Sequence, residues 1–342
     1  MKQLSVKALV WIGVVEYLLC VASAATTREL VLKKGYVFCG VSQGLPGFSA
    51  PNSKGKWEGI DVDVCRAVAS ALFANADKVK YVPLSAKERF TALQSGEIDI
   101  LSRNTTWTLT RDTALGLDFT TVTYYDGQGF MVRKKSGVKS AKELNGATLC
   151  VNSGTTTELN IEDYFKSLGM KYTLLSFEKT DEVVQAYDNK RCDVYTTDQS
   201  GLYANRIKLK NPSEHLILPE IISKEPLGPV VRHGDDNWAD IVRWAHYSLL
   251  NAEEMGISSK NVDKMLKESK DPNVRRLLGV DGGAMGKHLQ LSKDWAYNIV
   301  KQVGNYAEVF ERNLGMNSPL KISRGLNKLW NQGGLQYGMP VR

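Results

Sequence analysis

TALQSGEIDILSRNT (residues 91–105) and QAYDNKRCDVYTTDQ (residues 185–199) share one layout at an offset of 94: the end of a helix, a turn, a short apolar strand and a polar run. Ala92 meets Ala186, Asp99 meets Asp193, Ile100-Leu101 meet Val194-Tyr195, Ser102 meets Thr196 and Asn104 meets Asp198. The identities are few, and the shared succession carries the weight, because self-similarity at a fixed offset marks a repeated structural unit. Two α/β units of similar build are expected, with Asn104 and Asp198 at corresponding strand ends.

Each unit extends outward from its quoted stretch. In the first, YVFCGV (36–41) reads as a strand and DVDVCRAVASALFA (61–74) as an amphipathic helix with Asp61 as its N-cap. KVKYVPL (78–84) is a strand and AKERFTALQSG (86–96) a helix stopped by Gly96. In the second, ATLCV (147–151), TTTELNIEDYFKSLG (155–169), KYTLLSF (171–177), TDEVVQAYDN (180–189) and CDVYTT (192–197) repeat the β-α-β-α-β order. Strands separated by helices predict, in each lobe, a mostly parallel sheet flanked by helices. GQGFMVRKKSG (127–137) and EPLGPVVRHG (225–234), extended and bracketed by Gly or Pro, are the expected hinge strands. Beyond them, WADIVRWAHYSLLNAEE (238–254) reads as a helix packed back on the first lobe. LSKDWAYNIVKQVGNYAEVFERNLG (291–315) reads as one further helix, with its Trp and Tyr in the core. The expected division is 1–24 as a signal, 25–128 as lobe one, 129–228 as hinge and lobe two, and 229–342 as a return to lobe one followed by a helical tail.

The signal assignment rests on Lys2 and Lys7, the apolar run ALVWIGVVEYLLCVASA (8–24) and its Ala22-Ser23-Ala24 end, which predict secretion and cleavage after Ala24. An uncleaved anchor and lipid attachment at Cys20 stay open, although Leu19 is larger than lipid processing favours and Glu16 disfavours residence in lipid. Cleavage removes Lys2, Lys7 and Glu16, taking the formal charge from +7 to +6. The basic residues are scattered among acids, with Arg133-Lys134-Lys135 the tightest cluster, which argues against a nucleic-acid partner. Composition is ordinary for a globular protein, 43% hydrophobic and 24% charged over 342 residues, enough for two cores. Four cysteines remain after cleavage, and an exported chain favours disulfides. Three pairings are possible; Cys39–Cys65 and Cys150–Cys192 each staple a strand to a nearby element of the same half, worth about 3–4 kcal/mol each. No C-x-x-C spacing or histidine pair supports a metal site.

LSRNTTWTLTRD (101–112) and TTDQSG (196–201) both follow carboxyl ends of strands, where open α/β sheets bind ligands. The Arg111 guanidinium suits a carboxylate and the Asp198 carboxylate suits an ammonium, so facing lobes would receive a zwitterion such as an α-amino acid. VNSGTTTE (151–158) reads either as plain N-capping by Ser153 or Thr155, or as a helix start whose free N–H groups meet an anion; beside Arg111 and Asp198 the second reading is favoured. Phe48, on the loop GLPGFSAP (44–51), is placed to lie over a ligand side chain. Arg89 is open between a surface position and a contact to a polar ligand side chain. Arg103 is open between ligand and interlobe contact, and Asp61 and Asp63 read as capping and solvated acids.

At these residues the chain resembles the amino-acid-binding proteins of polar-amino-acid ABC importers, solute-binding protein family 3. The matching runs are GIDVDV (59–64), RFTALQSGEIDI (89–100), T-x-T-x-x-R-D (106–112), NSGTTTE (152–158) and CDVYTTD (192–198). FCGV (38–41), YYDGQGFMV (124–132), SKEPLGPVVR (223–232) and LWNQGGLQY (329–337) are similar to its general L-amino acid-binding subgroup. The resemblance implies a two-lobed, type II periplasmic binding fold, monomeric and without cofactor, that closes on an L-amino acid and docks on inner-membrane permease subunits. It implies Arg111 for the α-carboxylate, Thr106 and the amide of Thr156 beside it, with Thr155 at the same helix start, and Asp198 for the α-ammonium. Phe48 falls where the family stacks an aromatic, and Asn104 stands where many relatives carry serine or glycine. An exported enzyme of the same fold, dehydratase-like, is the rival reading, with a ligand-sensing domain second. Against an enzyme, H-E-x-x-H and G-x-G-x-x-G are missing, and GGAMGKH (282–288) breaks the phosphate-loop spacing at Asp281. The histidines His215, His233, His246 and His288 lie outside the cleft motifs.

Overall fold

The computed structural model describes residues 25–281 and 284–342. The expected signal peptide, with Cys20 and the Ala24 cleavage site, lies outside the described residues, as do Gly282 and Gly283. The chain begins with α1 (Thr27–Lys34), β1 (Val37–Ser42), a hairpin of β2 (Ala50–Pro51) and β3 (Trp57–Glu58), α2 (Ile60–Phe73) and β4 (Val79–Leu84). α3 (Arg89–Gln94), β5 (Ile100–Leu101), α4 (Leu109–Thr113) and β6 (Leu117–Phe119) complete the first pass. β7 (Tyr124–Asp126) leads into β8 (Gln128–Arg133), β9 (Ala147–Asn152), α5 (Thr156–Ser167) and β10 (Tyr172–Phe177). Then come α6 (Thr180–Asp188), β11 (Val194–Asp198), α7 (Gln199–Arg206) and β12 (His215–Ile217). β13 (Glu225–Leu227) returns the chain to β14 (Val230–Arg232) and α8 (Asp236–Glu254). The tail holds α9 (Val262–Glu268), α10 (Pro272–Leu277), α11 (Ala284–His288), α12 (Trp295–Val303) and α13 (Tyr306–Asn313).

Two five-stranded sheets result, in the orders β4-β1-β5-β14-β6 and β10-β9-β11-β8-β12. In each, three helix-linked strands and the edge strand (β6 or β12) run the same way, and one strand (β14 or β8) runs antiparallel between them, so the sheets are mixed. β5 beside β1 mirrors β11 beside β9, which is the correspondence expected from the offset of 94. The second sheet is apolar on both faces, and the period of two sorts its residues. Phe130, Val132, Leu149, Val151 and Val194 face the α5 core, while Met131, Cys150 and Tyr195 face the core of α6 and α7. On the first sheet, Val37, Cys39 and Val41 share one core with α2, α8, α12 and α13. Trp295 and Tyr306 are buried in it, as expected. Cys39–Cys65 staples β1 to α2, and Cys150–Cys192 ties β9 to the start of β11. No helix among the described residues is long and apolar enough to cross a membrane.

Between the sheets, β7 and β13 pair as an antiparallel ribbon, Tyr124 opposite Leu227 and Asp126 opposite Glu225. The crossover therefore sits just before the first expected hinge stretch and at the start of the second, while β8 and β14 belong to the sheets themselves. Two further expectations are corrected. α2 begins at Ile60 with Gly59 at its cap, so Asp61 lies inside the first turn. Asp61 and Asp63 are both buried; Asp63 pairs with Arg66 (3.0 Å) and Arg312 (2.7 Å) instead of meeting solvent. The expected tail helix is two helices, because Gly304 leaves helical conformation at φ 92°, ψ −169° and Asn305 starts α13 with a reciprocal cap to Glu308.

Candidate functional site

The carboxyl ends of the two sheets face each other, and the lobes touch. The Asn104 side-chain amide donates to Asp198 (3.4 Å), so the two residues matched by the repeat meet across the interface. Lys208 Nζ donates to the Gly44 carbonyl (2.6 Å), and the Gly154 turn packs on the backbone of Lys87. Between these contacts lies a small cavity of about 50 Å³. Arg89, Arg103, Asn104 and Thr106 line it from one lobe, and Thr155, Thr156, Thr157 and Asp198 from the other.

Strand ends and helix starts place these groups. Asp198 closes β11 and caps α7 without a side-chain hydrogen bond to it. Thr155 precedes α5, also without a side-chain cap; its hydroxyl donates to Asn152 O (2.8 Å), so the first N–H groups of α5 are not met by a capping side chain. Asn104 adopts a left-handed conformation (φ 27°) that aims its own N–H at Asp61 (2.9 Å). Arg89 is 3% exposed; its guanidinium donates to Thr105 Oγ1 (3.3 Å), and its Nε finds no partner among the described residues. Arg103 Nε is spent on the Leu84 carbonyl (2.9 Å).

Two expected positions differ. Arg111 is not among the residues lining the cavity: its guanidinium donates to the Thr106 carbonyl (3.0 Å) and lies 5.2 Å from the Phe90 ring. It stands behind Thr106, and its charge reaches Glu225 and Asp198. Phe48 does not cover the cavity. The loop around it closes through Leu45 N–H to Ser49 O (2.8 Å) and Phe48 N–H to Leu45 O (3.1 Å), turning the ring inward against Tyr124 (centroids 5.5 Å). An aromatic on a short turn gains more from core burial than from a solvent-facing position.

Glu225 is the residue that sequence reasoning missed. It is buried, and its carboxylate accepts from Thr106 (2.5 Å), Thr156 (3.0 Å), Asn160 (2.7 Å) and Ser223 (2.7 Å), joining both lobes at the ribbon. Its signal was an acid beside Pro226 in a segment read only as a connector.

Burial dominates the electrostatics. Desolvation pushes Asp61 up to about 7, against the pull of the Asn104 N–H and Arg103. It pushes Asp126 up to about 6 and Asp198 well above the usual carboxylate range, the latter helped by Asp126 and Glu225. Burial likewise lowers Arg103 to about 10 and Arg89 well below the ordinary guanidinium value, with Arg111 adding like-charge repulsion on Arg89. Cations and anions thus face one small volume, each disfavoured in its charged form until an opposite charge arrives. No cluster of three or more His, Cys, Asp or Glu able to hold a metal ion exists among the described residues.

The chain is 64% identical over 322 residues, 94% of both chains, to the general L-amino acid-binding periplasmic protein AapJ of Rhizobium johnstonii. It is 53% identical to the glutamate/glutamine/aspartate/asparagine-binding protein BztA of Rhodobacter capsulatus, over 94% of this chain and 95% of that one. An ABC transporter periplasmic binding protein from Brucella ovis, solved with glutathione bound, superposes with a TM-score of 0.92 at 60% identity, covering 93% of this chain and all of that one. These relatives are binding proteins and not enzymes. Residues 37–261 match the family of bacterial extracellular solute-binding proteins, family 3, and the chain belongs to it.

Proposed function

We propose that this protein captures a free L-amino acid between its lobes in the periplasm and hands it to the permease subunits of an ABC importer. The observation that carries the proposal is the convergence of desolvated arginines and a desolvated Asp198, from separate sheets, on one cavity. Asp198 receives the α-ammonium. The N–H groups at the open start of α5, the Thr156 amide among them, receive the α-carboxylate, and Arg111 adds its charge while holding Thr106 in place. The free Nε of Arg89 suits an acidic or amide side chain, in keeping with the ligands named for the Rhodobacter capsulatus relative.

The lobes close about the β7/β13 ribbon. An amino acid that touches both lobes binds the closed state better, and moving a 1:99 population to 99:1 takes about 5.5 kcal/mol of differential affinity. Two charge-assisted anchors with several hydrogen bonds supply that. The chain works as a monomer, exported by a signal peptide cleaved after Ala24. Calorimetric titration with the twenty L-amino acids, their D-isomers and glutathione tests the reading, followed by mass analysis of the recovered ligand. Micromolar or tighter binding of unaltered L-amino acids is expected; chemically altered ligand would show an enzyme instead.

A further inference from the structure

The groove from Asp198 runs along α7, and its far end holds two polar groups that the anchors above do not use. Asp198, Gly201 and Asn205 are spaced at three and seven residues, so they share one helix face, and all three line the cavity. Gly201 keeps that face open: a Cβ there would stand 3.2 Å from Thr197 Cγ2 and 3.9 Å from Asp198 Cβ. Two turns on, Asn205 and Tyr195 are each 1% exposed. The Asn205 amide donates to the Tyr195 hydroxyl (2.9 Å), which leaves the tyrosine proton uncommitted. Asn205 Oδ1 receives no donor among the described residues. A buried acceptor left unmet is costly, so a pair kept in this state on a cavity wall fits a ligand group.

Resting on the reading of Asp198 as the ammonium anchor, we infer that Tyr195 and Asn205 form a specificity pair for a carboxamide at the end of the ligand side chain. The tyrosine O–H donates to the amide carbonyl, and Asn205 Oδ1 accepts from the amide NH2. Seven residues of helix separate Asp198 from Asn205 by about 10 Å. Glutamine carries its carboxamide one methylene farther from the ammonium than asparagine does, and alanine carries none, so the three ligands grade the reach from Asp198 to this pair.

The experiment titrates L-glutamine, L-asparagine and L-alanine into the full exported chain and into Asn205→Leu and Tyr195→Phe, the second keeping the ring and removing one oxygen. Glutamine affinity is expected to fall about tenfold in each variant, asparagine affinity less, and alanine affinity to stay within about twofold. Unchanged glutamine binding in both variants overturns the inference. Equal losses for glutamine and alanine overturn it too, since they show a structural role only. If the unmodified protein binds none of the three while its thermal transition is intact, the amino-acid reading itself fails, and this inference with it.

Discussion

Asp198 carries the sharpest consequence at the scale of single residues. Its carboxyl is raised by burial and by the neighbouring Asp126 and Glu225, so in the ligand-free site it holds a proton to higher pH than an ordinary carboxylate does. An ammonium beside it favours the anion and lowers that value, so binding expels a proton wherever the free site is protonated and the occupied site is not. Affinity is therefore expected to fall as pH drops from 8 to 5. Calorimetry at pH 6 in buffers of differing ionisation enthalpy should register proton release. Asp198→Asn should abolish the release and cost roughly 30-fold or more in affinity, the worth of a hydrogen bond to a charged group. Proton uptake in place of release would contradict the assignment.

Elements impose the next constraint, and the tail supplies it. Residues 262–342 lie beyond the stretch matched to the family, yet they grip the crossover. Asn327 accepts from Tyr125 N–H (2.7 Å) and donates to Tyr125 O (3.0 Å), as a neighbouring strand would. Tyr306 and Gln336 both donate to Thr123 O, at 2.8 and 3.3 Å. On the ribbon's other edge Pro226 O accepts from Trp107 N–H (2.8 Å), beside Thr106 in the cavity wall. The moving joint is therefore held on one side by the tail and on the other by the ligand loop. Asn327→Ala removes two buried hydrogen bonds and should cost about 1–3 kcal/mol of stability. Faster hydrogen exchange at the Tyr125 amide is expected, and unchanged protection there would show that the tail does not restrain the ribbon.

The whole molecule combines two cores, two staples and one interface. The disulfides close separations of 26 and 42 residues, one in each lobe. In the chain-entropy account each is worth about 3–4 kcal/mol. Protein recovered from an oxidising compartment should show no free thiol by thiol titration, and full reduction should lower its melting temperature by several degrees or more. Two reactive thiols in the untreated protein would refute the pairing. Neither staple crosses between lobes, so both leave closure free.

Strand and helix order, the two units and the cysteine partners were legible because they depend on local periodicity and on residues close in the chain. Asn104 and Asp198 could be matched by register alone, since each ends a strand that begins from the same helix–turn pattern. Phe48, Arg111 and Glu225 were not legible in the same way. Whether a loop aromatic turns outward or into the core depends on Tyr124, 76 residues away, and no local pattern encodes that neighbour. Glu225 became a site residue only when the ribbon brought it against hydroxyls from both lobes. The sequence by itself determined which groups were available and on which strand ends they sit. Tertiary structure alone decided which of them lose their water together, because desolvation belongs to a packed interface and not to any segment of it.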